Sequence, residues 1–243
     1  MSVDYFQSSL QTASLLWRVE SKQDTGEGKK FRSHHAIFTL ANLFLCGYFD
    51  ELIRNDSGTH YLTLFIGMET ALSMLFTIAY FVGSVRDVLQ KTRSYPVSSS
   101  ARFLFVLLSA LRRPIFLGFY FTNCLFFCVF FWKTRVLMGW AVILYSLLML
   151  DVQLTVAVLA VLYEKISFAG VGVILLFISF VLVTSSVLFH QDFLFGELPL
   201  IQWVVNGLTA VRTGEESRAM FYIDAMAGIM VLLFLSGIRL IKE

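Results

Sequence analysis

The sequence predicts an all-α integral membrane protein, with six transmembrane helices preceded by an amphipathic interfacial helix. Three observations lead there. Of 243 residues, 57% are hydrophobic and only 15% charged, against about 25% charged in an ordinary soluble domain. With a mean hydropathy of +0.74, the chain has too little polar surface to cover itself in water, and a bilayer removes that demand. The apolar runs are long and apolar on every side, whereas a barrel needs alternating strands of about ten residues. In hydrocarbon the backbone must bond to itself, so each run reads as a helix. At about 20 residues per span, the chain accommodates about five to seven crossings and no sizeable soluble domain.

The same composition excludes a disordered chain, a disulfide scaffold and an ordinary cytosolic enzyme. The net charge of +2 is too small to suggest nucleic acid. Cys46, Cys124 and Cys128 all lie inside apolar runs and read as small buried hydrophobes.

Residues 1–20 lack the basic lead and small-residue cleavage site of a secretory signal. Their apolar positions, Phe6, Leu10, Leu15, Leu16, Trp17 and Val19, alternate with Ser, Gln and Arg18 as in a helix lying in a membrane surface. A polar linker with Lys22, Lys29 and Lys30 completes the unit 1–32. The unit 33–243 holds the spans, read at about 34–53, 60–85, 113–132, 136–163, 166–190 and 219–240. The first has an apolar heart only from Ala36 to Phe49, so it needs its polar flanks or a thinned bilayer to cross.

Lys and Arg set the orientation. With the N-terminus inside, the cytosolic side receives the basic residues of 1–32, then Arg86, Lys91, Arg93, Arg102, Arg112 and Arg113, then Lys165, Arg239 and Lys242. Only Arg54, Lys133, Arg135, Arg212 and Arg218 remain outside. Both termini are therefore expected in the cytoplasm of a cell whose plasma (bacterial inner) membrane holds the chain.

Two connections depart from plain span-and-loop. The cytosolic segment 86–113 begins as a charged helical continuation of the second span and breaks at Tyr95-Pro96, because Pro disfavours helix at the residue before it. Ser98-Ser99-Ser100 can cap an apolar helix from Ala101 to Leu111. This segment reads equally as a basic loop on anionic headgroups and as a rigid elbow for a partner. The outer segment 190–218 contains Leu200–Val205, too short to cross and too apolar for water. It reads as an interfacial helix with Pro199 at its start and Trp203 at headgroup depth. Gly214-Glu215-Glu216-Ser217-Arg218 is a solvated turn.

Ionisable residues inside spans are few: Glu69, Asp151 and Asp224. Each costs free energy in lipid and is expected to face the bundle interior, a partner or water. Asn123 and Gln153, with Thr70, Thr77 and Thr155, are candidates for the same interior, as interhelical ties or as a path.

Several chemistries have no motif here. There is no Gly-x-x-x-x-Gly-Lys-Ser/Thr loop, no His-Glu-x-x-His pair and no Gly-x-Ser-x-Gly elbow. His34, His35, His60 and His190 fall at span ends, and adjacent His34 and His35 point different ways on a helix, so no metal site is expected.

Taken together, the layout resembles the permease subunit of a type-2 ABC exporter, closest to the gliding-type branch. Gln90-Lys91-Thr92-Arg93-Ser94-Tyr95-Pro96-Val97-Ser98 is similar to the family's charged end of span two followed by Leu-Pro-Val-Ser, with Tyr for Leu. Leu198-Pro199-Leu200-Ile201-Gln202-Trp203 is similar to its lead into short helices between the last two spans. The run from Gly214 through Tyr222 to Arg239 and Lys242 also looks like that branch. The Arg-Tyr-rich stretch of the polysaccharide-exporting branch is absent, so polysaccharide export is not implied. The resemblance implies a chain that is not itself an enzyme and binds no cofactor, with ATP and Mg held by a separate P-loop ATPase subunit. It implies a translocation path enclosed with a second copy or a homologue. Arg86, Asp87, Lys91, Arg93, Pro96 and Ser98 would couple to the ATPase, completed by the surface helix at Leu10–Val19. The 25 phenylalanines would then line a pathway or dimer seam suited to a hydrophobic or amphipathic cargo. Two other classes stay open: a non-transport scaffold or assembly subunit, and an ion-coupled carrier using Glu69 and Asp151. The carrier lacks a visible inverted repeat.

Overall fold

A computed structural model describes residues 7–9, 11–15, 31–55, 59–74, 97–111, 114–131, 135–166 and 198–242. Among them every element is a helix. We label them α1 (helical at 7–9 and 11–15), α2 (Phe31–Asn55), α3 (60–74), α4 (Ser99–Leu111), α5 (Pro114–Phe130), α6 (Arg135–Ile166), α7 (Pro199–Arg212) and α8 (Glu216–Lys242). The predicted fifth span and the charged segment 86–96 lie outside the described residues.

Among the described residues, two helices are long and apolar enough to cross a membrane, over Val136–Leu162 of α6 and Glu216–Ile241 of α8. The apolar stretches Ser99–Ser109 and Phe116–Phe130 are shorter. Helix α6 is the axis of the bundle. At 32 residues it is about 48 Å long, and it touches α4, α5, α7 and α8. Its first half packs Ala141, Leu144, Tyr145 and Leu148 against Phe49 of α2, Phe65 of α3, Phe127 of α5 and Val204 of α7. Its second half packs Leu154, Ala157 and Val161 against Phe103 and Val106 of α4 and Phe234 of α8. Leu137 and Trp140, near its start, meet Ala219 near the start of α8. Start meets start and end meets end, so α6 and α8 run in the same direction.

Helix α7 reverses direction into α8 through a tight turn. Glu215 N–H donates to Ala210 O (2.7 Å) and Gly214 N–H to Val211 O (3.1 Å), the paired bonds of a Schellman C-cap. That cap puts Gly214 at φ +82°, a conformation glycine adopts without a Cβ clash. Val211 sits by Leu137, and Gly207 faces Leu144 one to two turns further along α6. Helix α7 therefore runs antiparallel to the first half of α6. Seven of its residues are buried, Trp203 is half-buried against the central core, and Gln202, Asn206 and Arg212 face out.

Helix α4 begins where the serine run predicts, with Ala101 N–H donating to Ser98 Oγ (3.3 Å). It is a packed helix, with Phe103, Leu104, Phe105 and Val106 all buried in succession, wedged between α6, α8 and α1. The phenylalanines divide. Phe49, Phe65, Phe126 and Phe127 form a core stack with centroid separations of 4.7–6.1 Å, whereas Phe44, Phe121 and Phe221 are exposed.

Candidate functional site

A polar cluster lies inside the central core, with one residue or more from each of α2, α3, α5 and α6. Glu69 of α3 is 1% exposed. Asn123 of α5 donates through Nδ2 to Glu69 Oε2 (2.7 Å) and to the Tyr145 hydroxyl of α6 (2.6 Å). Asn42 of α2 donates through its own Nδ2 to Glu69 Oε1 (2.6 Å) and Oε2 (3.1 Å). This is the orientation that avoids setting amide oxygen against carboxylate. Cys46, one turn beyond Asn42, donates its S–H to Asn123 Oδ1 (3.4 Å).

Each contributor is placed by its helix. Asn42 and Cys46 are four residues apart and share one face of α2 with Phe49. Asn123 and Phe127 share the α5 face that meets Tyr145. The Tyr145 ring joins the aromatic core while its hydroxyl reaches the amide, as a buried tyrosine requires. Hydroxyls such as Thr70 and Thr155 are satisfied within their own helices, donating to Ile66 O and Asp151 O.

One turn beyond Glu69 on α3, Ser73 accepts a hydrogen bond from Gln153 Nε2 of α6 (3.4 Å). Asp151 is fully buried on α6, and neither carboxylate oxygen is hydrogen-bonded to a described residue. The structure thus brings together Glu69 and Asn123, sets Gln153 and Asp151 further along the same bundle, and leaves Asp224 exposed on α8. Of the coupling set, Arg86, Asp87, Lys91, Arg93 and Pro96 lie outside the described residues. Ser98 is described: its Oγ lies 3.1 Å from Ser100 Oγ and 3.5 Å from Ser9 Oγ of α1, and Ser9 lies 3.0 Å from Ser100.

Asn42 and Tyr145 are the members that sequence reading missed. Asn42 sits in the least apolar of the predicted spans, and Tyr145 reads as another core aromatic. The one available signal was Asn42 and Cys46 at helical spacing, polar atoms on a single face.

Chemically, the cluster is a tie between four helices. Among the described residues, no group of three His, Cys, Asp or Glu side chains that could hold a metal ion is gathered. No family model, no curated protein and no solved structure matches the chain.

Proposed function

We propose that this chain is the membrane-embedded subunit of an ATP-driven ABC exporter. It would span the plasma (bacterial inner) membrane six times with both termini in the cytoplasm. It works as a dimer with a second copy or a homologue, and a cytosolic P-loop ATPase binds ATP and Mg and drives it. The apolar character of α8 supports the membrane setting. Only 17% of its apolar window is buried within the chain, and such a face in water would be an aggregation liability. The observation that carries the coupling role is the contact between α1 and Ser98. It joins the N-terminal surface helix to the end of the very segment, 86–98, that the resemblance assigns to the ATPase, so a push on one is felt by the other.

The test is a pull-down of the tagged chain in mild detergent, with mass spectrometry of what co-purifies. A stoichiometric P-loop ATPase is the expected result, released by combined charge reversal of Arg86, Lys91 and Arg93. Recovery of the chain alone, or only with other membrane proteins, would overturn the reading and favour a scaffold.

A second reading is favoured by Asp151, whose buried carboxylate has no hydrogen-bond partner among the described residues. A buried ionisable group of that kind marks ion and proton paths in carriers. Proteoliposomes of the chain alone would then move substrate on a pH gradient, and Asp151→Asn would abolish the movement.

A further inference from the structure

The end of the bundle where α2, α5 and α7 finish and α3 and α6 begin carries a half-open cavity of about 430 Å³, within the range of ligand sites. Its composition is two-sided. Phe131, Leu137 and buried Leu208 supply apolar walls, while exposed Arg54, Arg212 and Thr59 stand at its mouth. Among the described residues, the lining holds two arginines and no acidic residue.

The two guanidinium groups are differently held. Arg54 Nε donates to both Asp50 oxygens at 3.0 Å, and its Cζ lies 4.9 Å from the centroid of the Phe130 ring. The Asp50 hydrogen bond raises its pKa above the ordinary arginine value. Its plane is thereby fixed, while its two terminal nitrogens make no hydrogen bond to a described residue. Arg212, in the last turn of α7, makes no ion pair with a described residue. A fixed fork and a free one at the mouth of an apolar cavity suit a ligand with an oxyanion at one end and hydrocarbon at the other.

We propose that this cavity is a phospholipid site. The phosphodiester bridges Arg54 and Arg212, and one acyl chain lies against Phe131, Leu137 and Leu208. The site rests on the membrane reading, which puts these helix ends at the outer interface, the depth of lipid headgroups. A free phosphate would leave the apolar wall wetted, so the lipid is the occupant that uses both halves of the cavity.

Extraction comes first. The chain should stay with membranes until detergent is added; release by buffer alone would sink the membrane reading and this site with it. Native mass spectrometry then compares retention of dioleoylphosphatidylglycerol with that of dioleoylglycerol, with inorganic phosphate as competitor. One phosphatidylglycerol should be retained in preference to the neutral lipid and resist millimolar phosphate. Arg54→Gln with Arg212→Gln should weaken its retention by about tenfold or more, as expected for losing charge-assisted hydrogen bonds. Thr59→Trp, which fills the mouth and leaves both charges, should weaken it as well. Equal retention of the two lipids, displacement by phosphate (a free-anion site), or unchanged retention in either variant would each overturn the site while leaving the membrane reading intact.

Discussion

Asn123 uses both ends of its amide, donating to Glu69 and Tyr145 and accepting from Cys46. Replacing it with Leu keeps the volume and removes all three bonds. We expect a loss of about 1–3 kcal/mol, the cost of stranding buried polar partners, read as a lower thermal midpoint in detergent. Cys46→Ala should cost far less, because a thiol is a weak donor. Glu69 and Asn123 were legible from sequence as polar residues in apolar runs. Their pairing was not: the partners lie 54 residues apart, and helical periodicity carries no information about which faces meet.

Two glycines of α8 make a second test at this scale. A Cβ on Gly237 would run into the Phe103 ring of α4, whereas one on Gly228 meets nothing within 4 Å. Gly237→Ala should destabilise the protein by about 1–3 kcal/mol through overpacking. Gly228→Ala should be neutral or stabilise it by up to about 1 kcal/mol through helix propensity. Equal melting shifts for the two would contradict the close approach of α4 and α8.

Among the elements, α7 is the one whose ends are least alike. Its C-terminus is closed by the Schellman turn, while Leu198 at its N-cap has extended backbone and no side-chain acceptor for the first N–H groups. Leu198→Asp supplies that acceptor and places a carboxylate at the positive end of the helix. We expect a gain of about 1 kcal/mol in unfolding free energy. Sequence reading found this helix and its proline start. It did not find how much of the helix is buried, because the fit of Gly207 against Leu144 of α6 is visible only once the helices are packed. The charged run before Pro96 was equally visible in sequence, and it lies outside the described residues.

At the scale of the molecule, the shared direction of α6 and α8 places Glu215 at the end of the bundle where α6 begins. In the proposed orientation this end faces outward and α1 faces the cytosol. A topology probe is better placed at Glu215 than at Gly214, whose positive φ penalises any side chain. In a background lacking the three native cysteines, Glu215→Cys should react with an impermeant maleimide on intact cells and Gln7→Cys should not. The reverse pattern would invert the topology. That the chain is helical was predicted from its apolar runs; which helices lie side by side was not, since it depends on side-chain fit along α6.

The serine contact between α1 and α4 also has a meaning in time. Ser9 and Ser100 are separated by 91 positions in the chain, so the partner does not exist when the N-terminal helix leaves the ribosome. At roughly 5–20 residues per second, α1 waits about 5–20 s before its docking partner has been made. During that interval α2 and α3 are made. This helix is therefore made well before the surface it docks on, and its attachment records that the chain has been made at least as far as α4.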